Sequence, residues 1–131
     1  MSATTSPALP PALVLYGIPN CDTVKKARAW LTDHGVEFTF HDFKKHGVPA
    51  ARLDAWLARF GWEAVINRKG TAWRGLDDAT KASVVDATTA RAVALQAPST
   101  IKRPVVEWTD GALSVGFQPE IFAQSLAARL P

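Results

Sequence analysis

Three features of these 131 residues predict an α/β fold on a mixed four-stranded sheet. Leu13-Val14-Leu15-Tyr16 is an unbroken apolar run, as in a central strand covered on both faces. A helical pattern and then an alternating stretch follow it within about 30 residues, the length of a βαβ unit. Toward the C-terminus, two β-like runs bracket Thr109-Asp110-Gly111-Ala112, and Asp-Gly between such runs is a strong antiparallel hairpin signal.

The elements follow in order. Gly17, Pro19 and Asn20 are turn residues that end the first strand. Val24, Ala27 and Leu31 recur at spacings of three and four, so a helix is expected from Asp22 to His34, stopped by Gly35. Val36-Glu37-Phe38-Thr39-Phe40-His41 alternates, placing Val36, Phe38 and Phe40 on one face of a strand parallel to the first, with a right-handed crossover. Asp42 to Pro49 is polar, carries Gly47 and reads as a loop. Leu53, Trp56, Leu57 and Phe60 mark a helix that Gly61 closes. Trp62 to Ala72 is irregular, with Val65-Ile66 apolar and Asn67 to Thr71 loop-like. Asp77–Asp86 and Thr88–Gln96 read as two short helices, the second ended by Pro98. Pro104 to Trp108 and Leu113 to Phe117 form the hairpin, and Pro119 opens a last helix to about Arg129 with Phe122 and Leu126 facing inward. The expected organisation is a flexible leader over 1–12 and one domain over 13–131, with a helical insertion at about 49–98.

Composition limits the function classes. The apolar fraction of 47% and charged fraction of 21% are ordinary for a globular domain. One cysteine excludes an intrachain disulfide, and neither it nor His34, His41 and His46 are spaced as a metal site. Residues 1–12 lack the basic and apolar regions of a signal peptide, and no apolar run approaches the roughly 20 residues that span a membrane. The cytoplasm is the expected compartment. A net charge of +3 suits small anionic substrates. The densest basic clusters, Lys44-Lys45 and Arg68-Lys69, are too short for a nucleic-acid tail, so no direct nucleic-acid contact is expected. The five tryptophans, at 30, 56, 62, 73 and 108, are dispersed and read mostly as core.

Cys21 is the candidate catalytic residue. It lies at the first turn of the first helix, where unpaired backbone N–H groups and the helix dipole favour a thiolate. The thiolate is the nucleophilic form. Lys25, four residues on, is expected to add positive potential, and Asn20 and Thr23 either to hydrogen-bond around the sulfur or to serve as helix-cap residues.

Strand–helix–strand, a helical block, then strand–strand–helix is the order of a thioredoxin-like fold with an insertion between its halves. In such folds the catalytic cysteine starts the first helix and a cis-proline before the third strand sits against it; Pro104 is the candidate. Tyr16-Gly17-Ile18-Pro19-Asn20-Cys21-Asp22-Thr23-Val24-Lys25-Lys26-Ala27 resembles the active-site segment of the ArsC-like branch of that superfamily. Trp62-Glu63, Asn67-Arg68-Lys69-Gly70-Thr71-Ala72-Trp73-Arg74, Ile101-Lys102-Arg103-Pro104 and Gly116-Phe117 extend the likeness over about residues 13–126, with the YffB-like reductases the nearest group.

The resemblance implies a glutathione-dependent thiol reductase. In arsenate reductases of the branch three arginines hold the oxyanion at the cysteine. Arg68 and Arg103 match two of them, but Gly116-Phe117-Gln118-Pro119 has no arginine for the third. One oxyanion donor is worth about 2.7–4 kcal/mol, so arsenate is disfavoured. Cys21-Asp22-Thr23-Val24 has no second cysteine, so an outside thiol must resolve any disulfide at Cys21. Glutathione, alone or with a glutaredoxin, is the implied reductant, its carboxylates meeting Arg68, Arg103, Lys25 and the helix terminus. No bound cofactor is implied. Two alternatives stand beside this: an arsenate reductase coupled to glutathione and glutaredoxin, and a non-catalytic Spx-like regulator that binds RNA polymerase.

Overall fold

The computed structural model describes residues 13–109 and 111–127. The leader over 1–12, Asp110 of the hairpin signal and the end of the last helix lie outside these residues. Strand β1 (Leu13–Gly17) leads to helix α1 (Asp22–Asp33) and strand β2 (Phe38–Asp42). Then come α2 (Phe43–His46), α3 (Ala50–Phe60), α4 (Trp62–Val65), α5 (Thr71–Arg74), α6 (Asp78–Ser83) and α7 (Ala87–Gln96). A 3-10 turn, Pro98–Thr100, precedes β3 (Val105–Glu107), β4 (Leu113–Val115) and α8 (Pro119–Ala127).

The four strands form one mixed sheet in the order β2-β1-β3-β4. β1 and β2 are parallel with Leu15 opposite Phe40; β3 runs antiparallel to β1 and to β4, with Val106 opposite both Leu15 and Ser114. Adjacent side chains on a strand point to opposite faces, and both faces are covered here. Leu13 and Leu15 of β1 and Val106 of β3 pack with Val24, Ala27 and Leu31 of α1 and Phe122 of α8. Tyr16 and Val105 point the other way, into a core of Leu53, Trp56 and Leu57 from α3 and Ala90, Val93 and Ala94 from α7. Central strands with two covered faces need the near-continuous apolar run seen at Leu13–Tyr16. Val36, Phe38 and Phe40 pack together against the α1 side, as their alternation requires.

The sequence reading is corrected at residues 42–49. Phe43–His46 is a helical turn, not loop: the Asp42 carboxylate accepts the Lys44 N–H at 2.9 Å, and Phe43 is buried against Tyr16 and Trp56. A single apolar residue in four leaves no period to detect. His41 is half-buried and shares a 2.8 Å hydrogen bond with the Gly47 carbonyl. The irregular stretch after Gly61 resolves into α4, a lone antiparallel bridge between Ile66 and Ile101, and α5. Flanking bonds from Asn67 N–H to Thr100 O at 2.8 Å and from Lys102 N–H to Val65 O at 2.7 Å lock residues 65–67 beside residues 100–102. Among the described residues no helix is long and apolar enough to cross a membrane.

Candidate active site

β1 ends under the first turn of α1, and the approach is tight. A Cβ on Gly17 would lie 2.7 Å from a methyl of the fully buried Val24, so only glycine lets the strand pass there. The chain turns through Pro19 and Asn20, and Cys21 becomes the N-cap of the 12-residue α1. Its backbone is extended (φ −103°, ψ 124°), and its carbonyl accepts the first helical hydrogen bond from Lys25 N–H at 2.9 Å. No side chain caps the helix, so the first-turn N–H groups are left for the sulfur.

Cys21 opens onto a cavity of about 270 Å³. Arg103 enters it from the turn before β3. Its Nη1 donates to the carbonyls of Ser99 and Ile101, while its Nε–H is buried and meets no acceptor in the protein. Arg103 thus keeps a full positive charge that no carboxylate neutralises among the described residues. Burial pushes the Cys21 thiol up, but the Val24 N–H, the Arg103 guanidinium and the Thr23 N–H together outweigh it. The thiol is held below its ordinary value, and the thiolate fraction near neutral pH rises.

The Arg103–Pro104 bond is cis, and the buried Pro104 carbonyl accepts the Gly116 N–H at 2.8 Å. Gly116 has φ +85°, and a Cβ there would sit 3.2 Å from Lys102 Cε. This glycine both permits the turn and admits the Lys102 stem. The turn delivers Phe117 and Gln118 to the cavity wall, which Asn67 and Thr23 also line. Where a third arginine would stand, the wall is therefore an aromatic ring and an amide.

The structure gathers some of the expected residues and separates others. Cys21 and Arg103 share the cavity, and Pro104, next in the chain, is buried and outside the lining. Asn20 is exposed in the turn, outside the lining. Lys25 lines a different depression with Arg28, Ala29 and Thr32 on the outer face of α1. Its four-residue offset does not align it with Cys21, because the extended backbone of an N-cap residue (φ −103°, ψ 124° here) does not aim its side chain as a helical residue's is aimed. Arg68 is also outside: it faces Glu63 at 3.3 Å and lies over the Trp62 ring at 5.2 Å, in an adjoining depression. Phe117 and Gln118 line the cavity at the place the resemblance gives to a third arginine, whereas Lys102 and Asn67 were not foreseen as lining. Lys102 stood beside Arg103 in sequence, and that adjacency was its only signal. Among the described residues no group of three or more His, Cys, Asp or Glu side chains is placed to hold a metal ion.

The ArsC family model matches residues 16–124. An uncharacterised protein of Haemophilus influenzae is 40% identical over 115 residues, which is 88% of this chain and 99% of the relative. Among solved structures, the YffB protein shares 48% identity with a TM-score of 0.82, covering 87% of this chain and 98% of its own. An arsenate reductase (ArsC) related protein from Brucella melitensis shares 47% identity with a TM-score of 0.68, over 92% of this chain and 97% of its own.

Proposed function

This chain belongs to the ArsC family, and from that premise we propose that it is a single-cysteine thiol reductase regenerated by glutathione. The observation that carries the reading is a lowered thiol facing an un-neutralised arginine in a polar cavity, in a protein with no second cysteine. In the reaction, the Cys21 thiolate attacks the glutathionyl sulfur of a mixed disulfide. The new bond joins Cys21 to glutathione, and the other sulfur leaves as a thiolate that takes a proton from water. A second glutathione thiolate then attacks the glutathionyl sulfur, releasing glutathione disulfide and restoring the Cys21 thiolate. Arg103 and the first-turn N–H groups favour the thiolate at the start and again when it leaves.

The 47% identity to an arsenate reductase related protein supports a second reading, reduction of arsenate. The aromatic wall at Phe117 argues against it, because a benzyl ring donates nothing to a tetrahedral oxyanion.

The test is the pH dependence of the Cys21 alkylation rate, followed by incubation with glutathione disulfide and intact-mass measurement, with Cys21→Ser as control. An inflection well below about 8.5 and a glutathione adduct on Cys21 alone support the reductase. An ordinary inflection with no adduct overturns it. Arsenate turnover with glutathione and glutaredoxin at rates that exceed disulfide exchange would favour the second reading.

A further inference from the structure

The depression that holds Arg68 adjoins the thiol cavity: Asn67, Lys102 and Val115 line both. It is of similar size, about 260 Å³, and its floor is the segment fixed by the Ile66–Ile101 bridge. Taken together, the two lobes present Arg103, Lys102, Arg68 and Lys69 against a single carboxylate, Glu63. That carboxylate is committed to Arg68, but in an exposed pair, with the side chains 48% and 67% accessible. Exposed pairs are worth at most about 1 kcal/mol, so Arg68 can exchange Glu63 for a ligand at little cost. Lys69 and Lys102 have no ion-pair partner among the described residues. The loop bearing Arg68 and Lys69 is held in place: Asn67 N–H bonds to Thr100 O, Gly70 N–H to Asn67 O at 3.1 Å, and Lys69 N–H to Asn67 Oδ1 at 3.3 Å. A ligand meeting it has little ordering to do.

We propose that the two lobes form one groove for an extended, peptide-like thiol, the second lobe gripping a carboxylate remote from the reacting sulfur. The inference rests on the thiol-reductase reading and assigns Arg68 a task other than holding an oxyanion at Cys21. A tetrahedral oxyanion would fill only the first lobe, beside Arg103 and Lys102, and leave Arg68 and Lys69 unused. A lobe with this excess of positive charge repels an ammonium, so of the two ends of glutathione it suits the glycine carboxylate, which has no amino group beside it.

The experiment compares second-order rates of mixed-disulfide formation at Cys21 with glutathione disulfide and with the same disulfide amidated at both glycine carboxylates. The rates are measured at one pH and low ionic strength. Each is divided by the rate with iodoacetamide, an uncharged probe that reports the thiol itself. Wild type is expected to favour the unmodified disulfide roughly tenfold, the scale of one charge-assisted hydrogen bond, and the preference is expected to shrink with salt. Arg68→Glu/Lys69→Glu is expected to bring the ratio near one, and Lys69→Gln to lower it part of the way. A wild-type ratio near one, or a ratio the charge reversal leaves intact, overturns the second lobe while leaving the reductase reading standing. Failure of Cys21 to react with either disulfide removes both.

Discussion

Arg103 is anchored by two backbone carbonyls rather than by an acidic side chain. Carbonyl oxygens fix the guanidinium in position without cancelling its charge, so the full charge acts on Cys21, the only cysteine of the chain. Lysine would keep the charge but not the further guanidinium nitrogens that remain as donors while Nη1 alone holds both carbonyls. Arg103→Lys is therefore expected to lose part of the thiol's activation and Arg103→Gln nearly all of Arg103's share, while the contributions of the Val24 and Thr23 N–H groups persist. The iodoacetamide rate profile checks this: its inflection should move upward in the order wild type, Lys, Gln, and the Gln variant should react more slowly at pH 7. Each tenfold loss in thiolate population corresponds to about 1.4 kcal/mol of lost stabilisation. Coincident profiles for the three proteins would show that the helix terminus alone sets the thiol. Cys21 and Arg103 were both legible in the sequence, the first from a lone cysteine at a strand-to-helix turn, the second from its place before Pro104. Lys25 and Arg68 carry the same charge but point elsewhere, because side-chain direction at a cap and in a loop is not set by spacing along the chain.

At the scale of the elements, β3 does two jobs: the chain entering it carries Arg103 and Pro104, and its last residue, Glu107, ties the sheet to α3. The Glu107 carboxylate accepts from Tyr16 OH at 2.8 Å, Arg52 Nε at 2.6 Å and Trp56 Nε1 at 3.3 Å. Arg52 is half-exposed and its pair with Glu107 contributes little, whereas an amide in place of the carboxylate keeps one acceptor oxygen where Tyr16 OH and the buried Trp56 indole use two. Glu107→Gln should cost about 1–3 kcal/mol in denaturant unfolding and Arg52→Ala about 1 kcal/mol or less; equal effects would mean that the surface pair carries the network. The same network sets an alkaline limit. Burial first, then the hydrogen bond and charge of Glu107, push the Tyr16 hydroxyl well above its ordinary range. A folded-state pKa raised above the unfolded value gives stability that is complete below about pH 10 and is lost as pH rises past it. Wild type should thus lose stability more steeply above pH 10 than Tyr16→Phe, as melting temperatures across that range would reveal; parallel curves would show that Tyr16 ionises as freely folded as unfolded. None of this was visible in the sequence, since Tyr16, Trp56 and Glu107 are 40 or more positions apart in the chain. What was legible were elements with a local signal of their own: β1, α1, β2, α3, α6, α7, the hairpin strands and α8. The turn at Phe43–His46, held by one aspartate cap and one buried ring, has no period.

The whole molecule is a sheet with a core on each face, and both cores draw on the same two strands: β1 supplies Leu13 and Leu15 to one and Tyr16 to the other, β3 supplies Val106 and Val105. The groove lies where the two sides meet, since Cys21 caps α1 and packs against both cores, while Asn67 comes from the loop between α4 and α5 and Lys102 from the chain that enters β3. Its walls could not be read from the sequence because they are joined by the Ile66–Ile101 bridge, a pairing across 35 residues with no local signature. Shared strands predict one cooperative unit, yet the sheet separates the side chains of one core from those of the other. Leu31→Ala, on the α1 side, should cost about 2–5 kcal/mol and Ile101→Val, on the insertion side, about 0.5–1.5 kcal/mol. The double variant should equal their sum within about 0.5 kcal/mol, because the two sites share no packing partners. Tryptophan emission, which senses Trp56 and Trp73 in one core and Trp108 in the other, should change at the same denaturant concentration as far-UV circular dichroism. Two separated transitions would mean that the insertion folds as its own unit. A coupling well above 0.5 kcal/mol under a single transition would instead mean that packing strain crosses the sheet, so that substitutions behind α3 would alter the position of Cys21 and, with it, the reactivity of the thiol.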